Sequence, residues 1–136
     1  MSAPAEFRLR VYYEDTDAAG IVYYANYLKF MERARTEALL AAGYRQTELR
    51  ERHGIVFAVR EVTVSYLAPA RLEDQLVVRT AILPPRGARL DMRQEVWRDD
   101  ACLVTARATL VCIGPDGRPA RIPADLSAAL GRLAGV

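Results

Sequence analysis

Tyr12-Tyr13-Glu14-Asp15-Thr16-Asp17-Ala18-Ala19-Gly20-Ile21-Val22-Tyr23-Tyr24-Ala25-Asn26-Tyr27 joins an apolar strand to the start of a helix. Three acidic residues come first, then a short turn of small residues containing Gly20, then an aromatic run. Asp17 stands where the turn begins. The segment then delivers backbone N–H groups at a helix N-terminus, where unpaired donors and the helix dipole favour negative charge. A carboxylate facing such an anion site is suited to attack on a carbonyl.

On the N-terminal side, residues 7–13 (Phe-Arg-Leu-Arg-Val-Tyr-Tyr) alternate apolar and polar, the period of a strand. On the other side, residues 26–42 carry Tyr27, Phe30, Met31, Ala34, Ala38 and Ala41 at helical spacing, with Lys29, Glu32, Arg33, Thr36 and Glu37 opposite. Gly43 suits a left-handed helix stop. The remaining pattern is mostly strands, predicted over 55–67, 75–83, 88–98 and 101–113. In the first of these the apolar parity switches near Arg60-Glu61, from Ile55, Phe57 and Val59 to Val62, Val64 and Tyr66, which suggests a bulge or a change to a subunit interface. In the third, Leu90, Met92 and Val96 are expected to face inward and Arg89, Asp91, Arg93 and Glu95 outward. In the fourth, Cys102, Val104, Ala106, Ala108, Leu110 and Cys112 share one face. Pro84-Pro85-Arg86-Gly87 and Asp99-Asp100 supply turns, and residues 124–133 a short amphipathic helix. One helix after the first strand, then four strands in meander, predicts an α+β layer over a single domain, 1–136. A five-stranded sheet has two edges and one open face, which pairing of subunits would cover.

The chain has 136 residues, 51% of them hydrophobic, and a net charge of +2. That length suits one domain, and that charge is too small to suggest nucleic-acid binding. No signal peptide and no membrane-spanning run is evident, so a cytoplasmic protein without membrane insertion is expected. Cys102 and Cys112 in one strand would lie about 33 Å apart, beyond disulfide reach. With His53 the only histidine, a zinc site lacks ligands, and Ser-His-Asp or Cys-His chemistry is excluded unless His53 supplies the base.

The acidic stretch admits other readings. Asp15-x-Asp17-x-x-Gly20 imitates the start of a calcium loop, but Ala19 and Asn26 stand where two ligands are required. A phosphoryl-transfer Asp-x-Asp would need magnesium ligands and a phosphate-binding lysine, and Lys29 is the only lysine. An acidic turn capping a helix without chemistry remains open; Gly20, Tyr23-Tyr24 and Asn26-Tyr27 at fixed spacing argue for more.

The motif from Tyr12 through Glu37 (Tyr-Tyr-Glu-Asp-Thr-Asp-Ala-Ala-Gly-Ile-Val-Tyr-Tyr-Ala-Asn-Tyr-Leu-Lys-Phe-Met-Glu-Arg-Ala-Arg-Thr-Glu) resembles the hot-dog-fold acyl-CoA thioesterases. It looks closest to their Tol-Pal-associated (YbgC-like) branch and is also similar to the 4-hydroxybenzoyl-CoA thioesterases. Arg52-His53-Gly54-Ile55 and Tyr66-Leu67-Ala68-Pro69-Ala70-Arg71 extend the resemblance. It implies an antiparallel five-stranded sheet wrapped around one long helix, and hydrolysis of a short-chain or aromatic acyl-CoA to the free acid and CoA.

The resemblance also implies roles for residues. Asp17 would be the catalytic carboxylate, as nucleophile or as general base, and the Tyr24 N–H would polarise the thioester carbonyl. Tyr13 matches a tyrosine near that carboxylate, with core packing as its alternative. Gly20, in the motif turn, would be substrate-binding, and Val59 with Tyr23, Tyr24 and Phe57 would line the acyl pocket. Arg86 and Arg89 match the turn that meets CoA phosphates, which guanidinium suits. Many members of the Tol-Pal-associated branch carry His where this chain has Tyr24; tyrosine is the 4-hydroxybenzoyl-CoA pattern. No metal or cofactor is expected, CoA being part of the substrate. A homo-oligomer, a dimer or dimer of dimers, is expected, with acyl carrier protein as a further partner. The alternative function is a non-catalytic scaffold docking acyl carrier protein or Tol-Pal envelope partners. His53, Glu61 and Asp74 read as structural or surface residues.

Overall fold

Alternation and helical spacing give the expected α+β architecture in the computed structural model, which describes residues 4–134. The strands are β1 (Ala5–Arg10), β2 (Val56–Tyr66), β3 (Gln75–Ile82), β4 (Arg89–Arg98) and β5 (Ala101–Ile113). The helices are α1 (Asn26–Ala41), α2 (Gln46–His53) and α3 (Ala124–Leu133). All strand pairs are antiparallel, in the order β1-β3-β4-β5-β2. Among the described residues no helix is long and apolar enough to cross a membrane.

The expected four-strand meander is corrected by this order. Only β3, β4 and β5 form one; β2 lies at the far edge beside β5. A meander would join β2 to β3 by a tight turn. Instead Leu67–Asp74 carries the chain across the end of the sheet. It is held there by Leu67 and Ala68 N–H groups on Leu103 O (2.8 and 3.1 Å) and by Glu73 N–H on Val11 O (2.9 Å).

α1 packs on the inner face through Tyr27, Phe30, Met31 and Ala34, against Val11, Leu76, Val78, Val96 and Val104. A second cluster joins Leu39 and Leu49 to Ile82, Leu90, Met92, Leu110 and Leu126. The buried stripe of α1 includes Arg35 and Leu39, whereas Ala41, expected on it, is exposed. Gly43 (φ +93°) ends the helix as expected. Its N–H donates to Leu40 O and Tyr44 N–H to Leu39 O, both at 2.9 Å, the paired bonds of a Schellman stop.

The parity switch in β2 is a bulge. Val59 pairs with Leu110 and Glu61 with Thr109, leaving Arg60 as the extra residue. Both halves of the strand therefore turn their apolar residues toward α1. A second irregularity, between Val96 and Trp97, sets Cys102 opposite Trp97. That moves Cys102 off the face it was expected to share with Val104. Asp91 lies on the outer face as its parity requires, but it is only 5% exposed.

Candidate active site

Two short segments, a hairpin and a helix entry, bring the motif together. Thr16 and Val22 form a bridge. Asp17 N–H donates to Ile21 O (2.9 Å) and Gly20 N–H to Asp17 O (3.0 Å). The closing residue of this turn needs positive φ, and Gly20 supplies it at +77°. Asp17 Oδ1 accepts from Ala19 N–H at 2.9 Å. The exposed carboxylate is thus held by one oxygen, and its other oxygen has no partner among the described residues.

Asp15 has a different task. Its Oδ2 accepts from Tyr12 N–H (2.8 Å), and its carbonyl accepts from Tyr23 N–H (3.0 Å) and Asn26 Nδ2 (2.9 Å). Asp15 and Asn26 therefore lash the hairpin to the start of α1. Tyr23 O accepts from Asn26 N–H (2.8 Å), and Tyr24 O accepts from the Tyr66 hydroxyl (3.2 Å). The Tyr24 N–H finds no acceptor among the described residues, and no side chain caps α1. An open donor therefore stands at the positive end of the helix dipole.

Aromatic rings frame this end. Tyr23 stacks near Tyr24 (centroids 4.8 Å apart), Tyr24 meets Tyr66 edge-on (6.1 Å), Tyr66 meets Tyr27 (5.6 Å), and Tyr27 meets Phe30 (5.9 Å). The Tyr27 hydroxyl accepts from Ala70 N–H at 3.0 Å. The Tyr23 phenol is pushed up by its hydrogen bond with Tyr24, and further by the negative charge of Asp17. Burial pushes the Tyr66 and Tyr27 phenols up as well, so all three stay neutral near pH 7 and keep their protons.

Two cavities meet here. One of about 280 Å³ is bounded by Ile21, Tyr24, Tyr27, Tyr66 and Pro69. The other, about 560 Å³, is a groove between α1 and β2 bounded by Leu28, Arg35, Val59, Val62, Val64 and Tyr66. Arg35, 9% exposed, donates to Gln94 Oε1 at 2.9 Å, and Gln94 Nε2 donates to Met31 O (2.9 Å) and Thr80 Oγ1 (3.0 Å).

The chain brings together Asp17, Gly20 and Tyr24 but not every residue expected at the site. Tyr13 lies in the same segment with its side chain 83% exposed, so it does not pack on the core. Val59 lines the groove, about 23 Å along β2 from Tyr66 at the usual strand rise. Arg86 and Arg89 lie at the opposite end of the sheet: Arg89 pairs with Val111, whereas Tyr66 pairs with Val104. There Arg89 Nε (3.0 Å), Arg107 (3.3 Å) and, more distantly, Arg86 (4.0 Å) surround Asp91 Oδ2. Burial opposes the Asp91 charge. The Thr109 hydroxyl (2.7 Å), Arg89 and Arg107 outweigh that and hold the carboxyl below its usual range.

Three residues carry more of the site than their sequence context suggests. Tyr66 reads only as an inward strand residue, and its bond to Tyr24 spans two distant elements. The spacing places Arg35 on neither face of α1, and the structure buries it. Gln94 breaks the inward run of β4 between Met92 and Val96, and that break was the available signal.

The thioesterase-like superfamily profile matches residues 11–130. The chain is 38% identical over 128 residues to the acyl-CoA thioesterase YbgC of Haemophilus influenzae, covering 93% of this chain and 94% of that protein. It is 42% identical over 122 residues to the acyl-CoA thioester hydrolase YbgC of Escherichia coli O157:H7, covering 88% and 90%. Among solved structures, a probable thioesterase from Bartonella henselae superposes with a TM-score of 0.84 at 37% identity, covering 89% of this chain and 100% of that one.

Proposed function

The chain belongs to the thioesterase-like superfamily and has its hot-dog fold, and on that footing we propose that it hydrolyses an acyl-CoA thioester with Asp17 as the reacting carboxylate. The observation that carries this reading is the open Tyr24 N–H at the α1 N-terminus, in the same segment as a carboxylate with one unengaged oxygen. A thioester carbonyl oxygen placed on that N–H would gain charge as its carbon is attacked. Such donors contribute about 2.7–4 kcal/mol in the transition state.

Asp17 can serve by either of two balanced routes. As nucleophile, its oxygen bonds to the acyl carbon, CoA leaves as thiolate, and water cleaves the resulting anhydride. As base, it takes a proton from the water that attacks the carbon directly. Thiolate leaves readily, so neither route calls on a histidine, a metal or a cofactor. In single-turnover hydrolysis in labelled water, label found in Asp17 identifies the anhydride route, with water attacking the Asp17 carboxyl carbon and the product carboxylate leaving.

A second copy of the chain would complete the site. β2 is an edge strand, with Val56, Val59 and Tyr66 exposed at 42%, 49% and 46%. Antiparallel pairing of two copies along β2 would set the Val56 end of one beside the Tyr66 end of the other. Val59 of the partner subunit, with Arg86 of the partner subunit and Arg89 of the partner subunit, would then approach Asp17. That arrangement offers guanidinium groups to the CoA phosphates, which a single chain cannot do at this distance.

The test is CoA thiol release from a panel of acyl-CoAs by wild type and Asp17→Asn. Wild type should cleave short or aromatic members, and the variant should lose about 10²–10⁴-fold in kcat. An Asp17→Asn protein with full activity would sink the assignment.

A further inference from the structure

Among the described residues, Tyr66 alone borders both cavities. Its ring stands edge-on to Tyr24 and tilted against Tyr27. Its hydroxyl donates to Tyr24 O across the gap between the end of β2 and the start of α1. On one side lies the smaller cavity at the oxyanion donor. On the other lies the larger groove, whose wall along β2 is Val59, Val62 and Val64. The bulge at Arg60 is what keeps Val59 in line with Val62 and Val64, so this wall is continuous toward the far end of the strand.

We propose that Tyr66 is a specificity-determining residue: its ring partitions the cavity at the Tyr24 N–H from the α1–β2 groove that Phe57 and Val59 line, and so limits how far an unbranched acyl chain can extend along that groove. The side chains of this wall are hydrocarbon, which suits methylene chains, while Thr36 and Gln46 add polar groups at the groove. Lys29 and Glu32 lie at the groove on the α1 side, and the guanidinium of Arg35 is engaged by Gln94. The ring is fixed by contacts on both sides and by a hydrogen bond, so a substrate tail must stop at it or displace it.

The inference rests on the thioesterase reading, and its experiment separates the two. The quantity read is the ratio of kcat/KM for decanoyl-CoA to that for butanoyl-CoA. Each newly buried methylene is worth about fourfold in that ratio. Tyr66→Ala should raise it at least about tenfold, equivalent to two methylenes admitted past the partition. Tyr66→Phe keeps the ring and should hold the ratio within about twofold of wild type. Adding Val62→Phe to Tyr66→Ala refills the groove and should reverse the gain. Tyr66 is 46% exposed, and Tyr66→Leu, which also removes the ring, is the substitute should the alanine protein fold poorly. A loss of stability lowers both rates together and leaves the ratio alone. An active wild type with an unchanged ratio in Tyr66→Ala, or in Tyr66→Leu, overturns the partition while sparing the thioesterase reading. A wild type inactive on every acyl-CoA overturns both.

Discussion

Gln94→Leu tests how α1, and with it the Tyr24 N–H at its start, is seated on the sheet. Gln94 is 1% exposed and makes three hydrogen bonds, to Arg35, Met31 O and Thr80. Leucine fills similar space, so the loss is polar rather than a cavity. The bond to the Arg35 guanidinium accounts for about 2 kcal/mol and the two neutral bonds for about 1 kcal/mol each. The sum, about 4 kcal/mol, would lower Tm by about 14 °C for a 136-residue chain. Burial already lowers the Arg35 pKa, so stranding that charge is the largest part of the penalty. Arg35→Met removes the stranded group, and Gln94→Leu in that background should cost only about 2 kcal/mol, a coupling of about 2 kcal/mol. Urea unfolding followed by Trp97 fluorescence, at one protein concentration, measures all four corners of the cycle. A Gln94→Leu cost below about 1 kcal/mol, or no coupling to Arg35, would refute the reasoning.

Three further outcomes follow from the geometry. The Asp91 carboxyl is held below its unfolded value, so its stabilisation is present above that value and lost as pH falls through the folded one. Asp91→Asn should therefore cost about 2–3 kcal/mol at neutral pH, and the gap to wild type should close below about pH 4 in denaturation curves run across pH. Gly54 sits at φ +67°, and an added Cβ would lie 2.8 Å from Pro115 Cγ. Gly54→Ala should lose about 2 kcal/mol in urea unfolding, and a neutral result would contradict both the strain and the clash. Mixing Asp17→Asn chains with Arg86→Ala/Arg89→Ala chains should restore about a quarter of wild-type activity if a two-fold dimer shares its sites. No recovery in exchanged, verified mixed dimers would place the arginines outside the partner's site.

Most secondary structure was legible because it follows from period. The four later strands, α1, the Gly43 stop, the bulge at Arg60 and α3 lie close to where alternation and helical spacing put them. The first strand, expected over 7–13, instead runs Ala5–Arg10, because the Asp15 carboxylate on Tyr12 N–H turns Tyr13–Asp15 into a 3-10 helix. α2 was not legible: Gln-Thr-Glu-Leu-Arg-Glu-Arg-His buries only Leu49, and a helix without an apolar face leaves no periodic trace. Strand order was not legible either, because Leu67–Asp74 resembles any loop until its N–H groups are seen bonded to Leu103 and Val11. Cys102 changed faces for the same kind of reason, since a one-residue slip in pairing reverses parity.

The sequence by itself determined the local chemistry of residues 12–27. An aspartate at a turn, a glycine able to take positive φ, and the start of an uncapped helix are consequences of neighbouring residues alone. Local bonds hold one oxygen of each carboxylate, Asp15 on Tyr12 N–H and Asp17 on Ala19 N–H, and tertiary structure decided what surrounds them. It also brought Tyr66 to Tyr24 across a separation of 42 residues, buried Arg35 on Gln94, and kept Arg86 and Arg89 at the far end of the sheet from Asp17. The physical reason is range: backbone preferences act over a few residues, whereas burial and pairing depend on which distant strands the fold sets side by side.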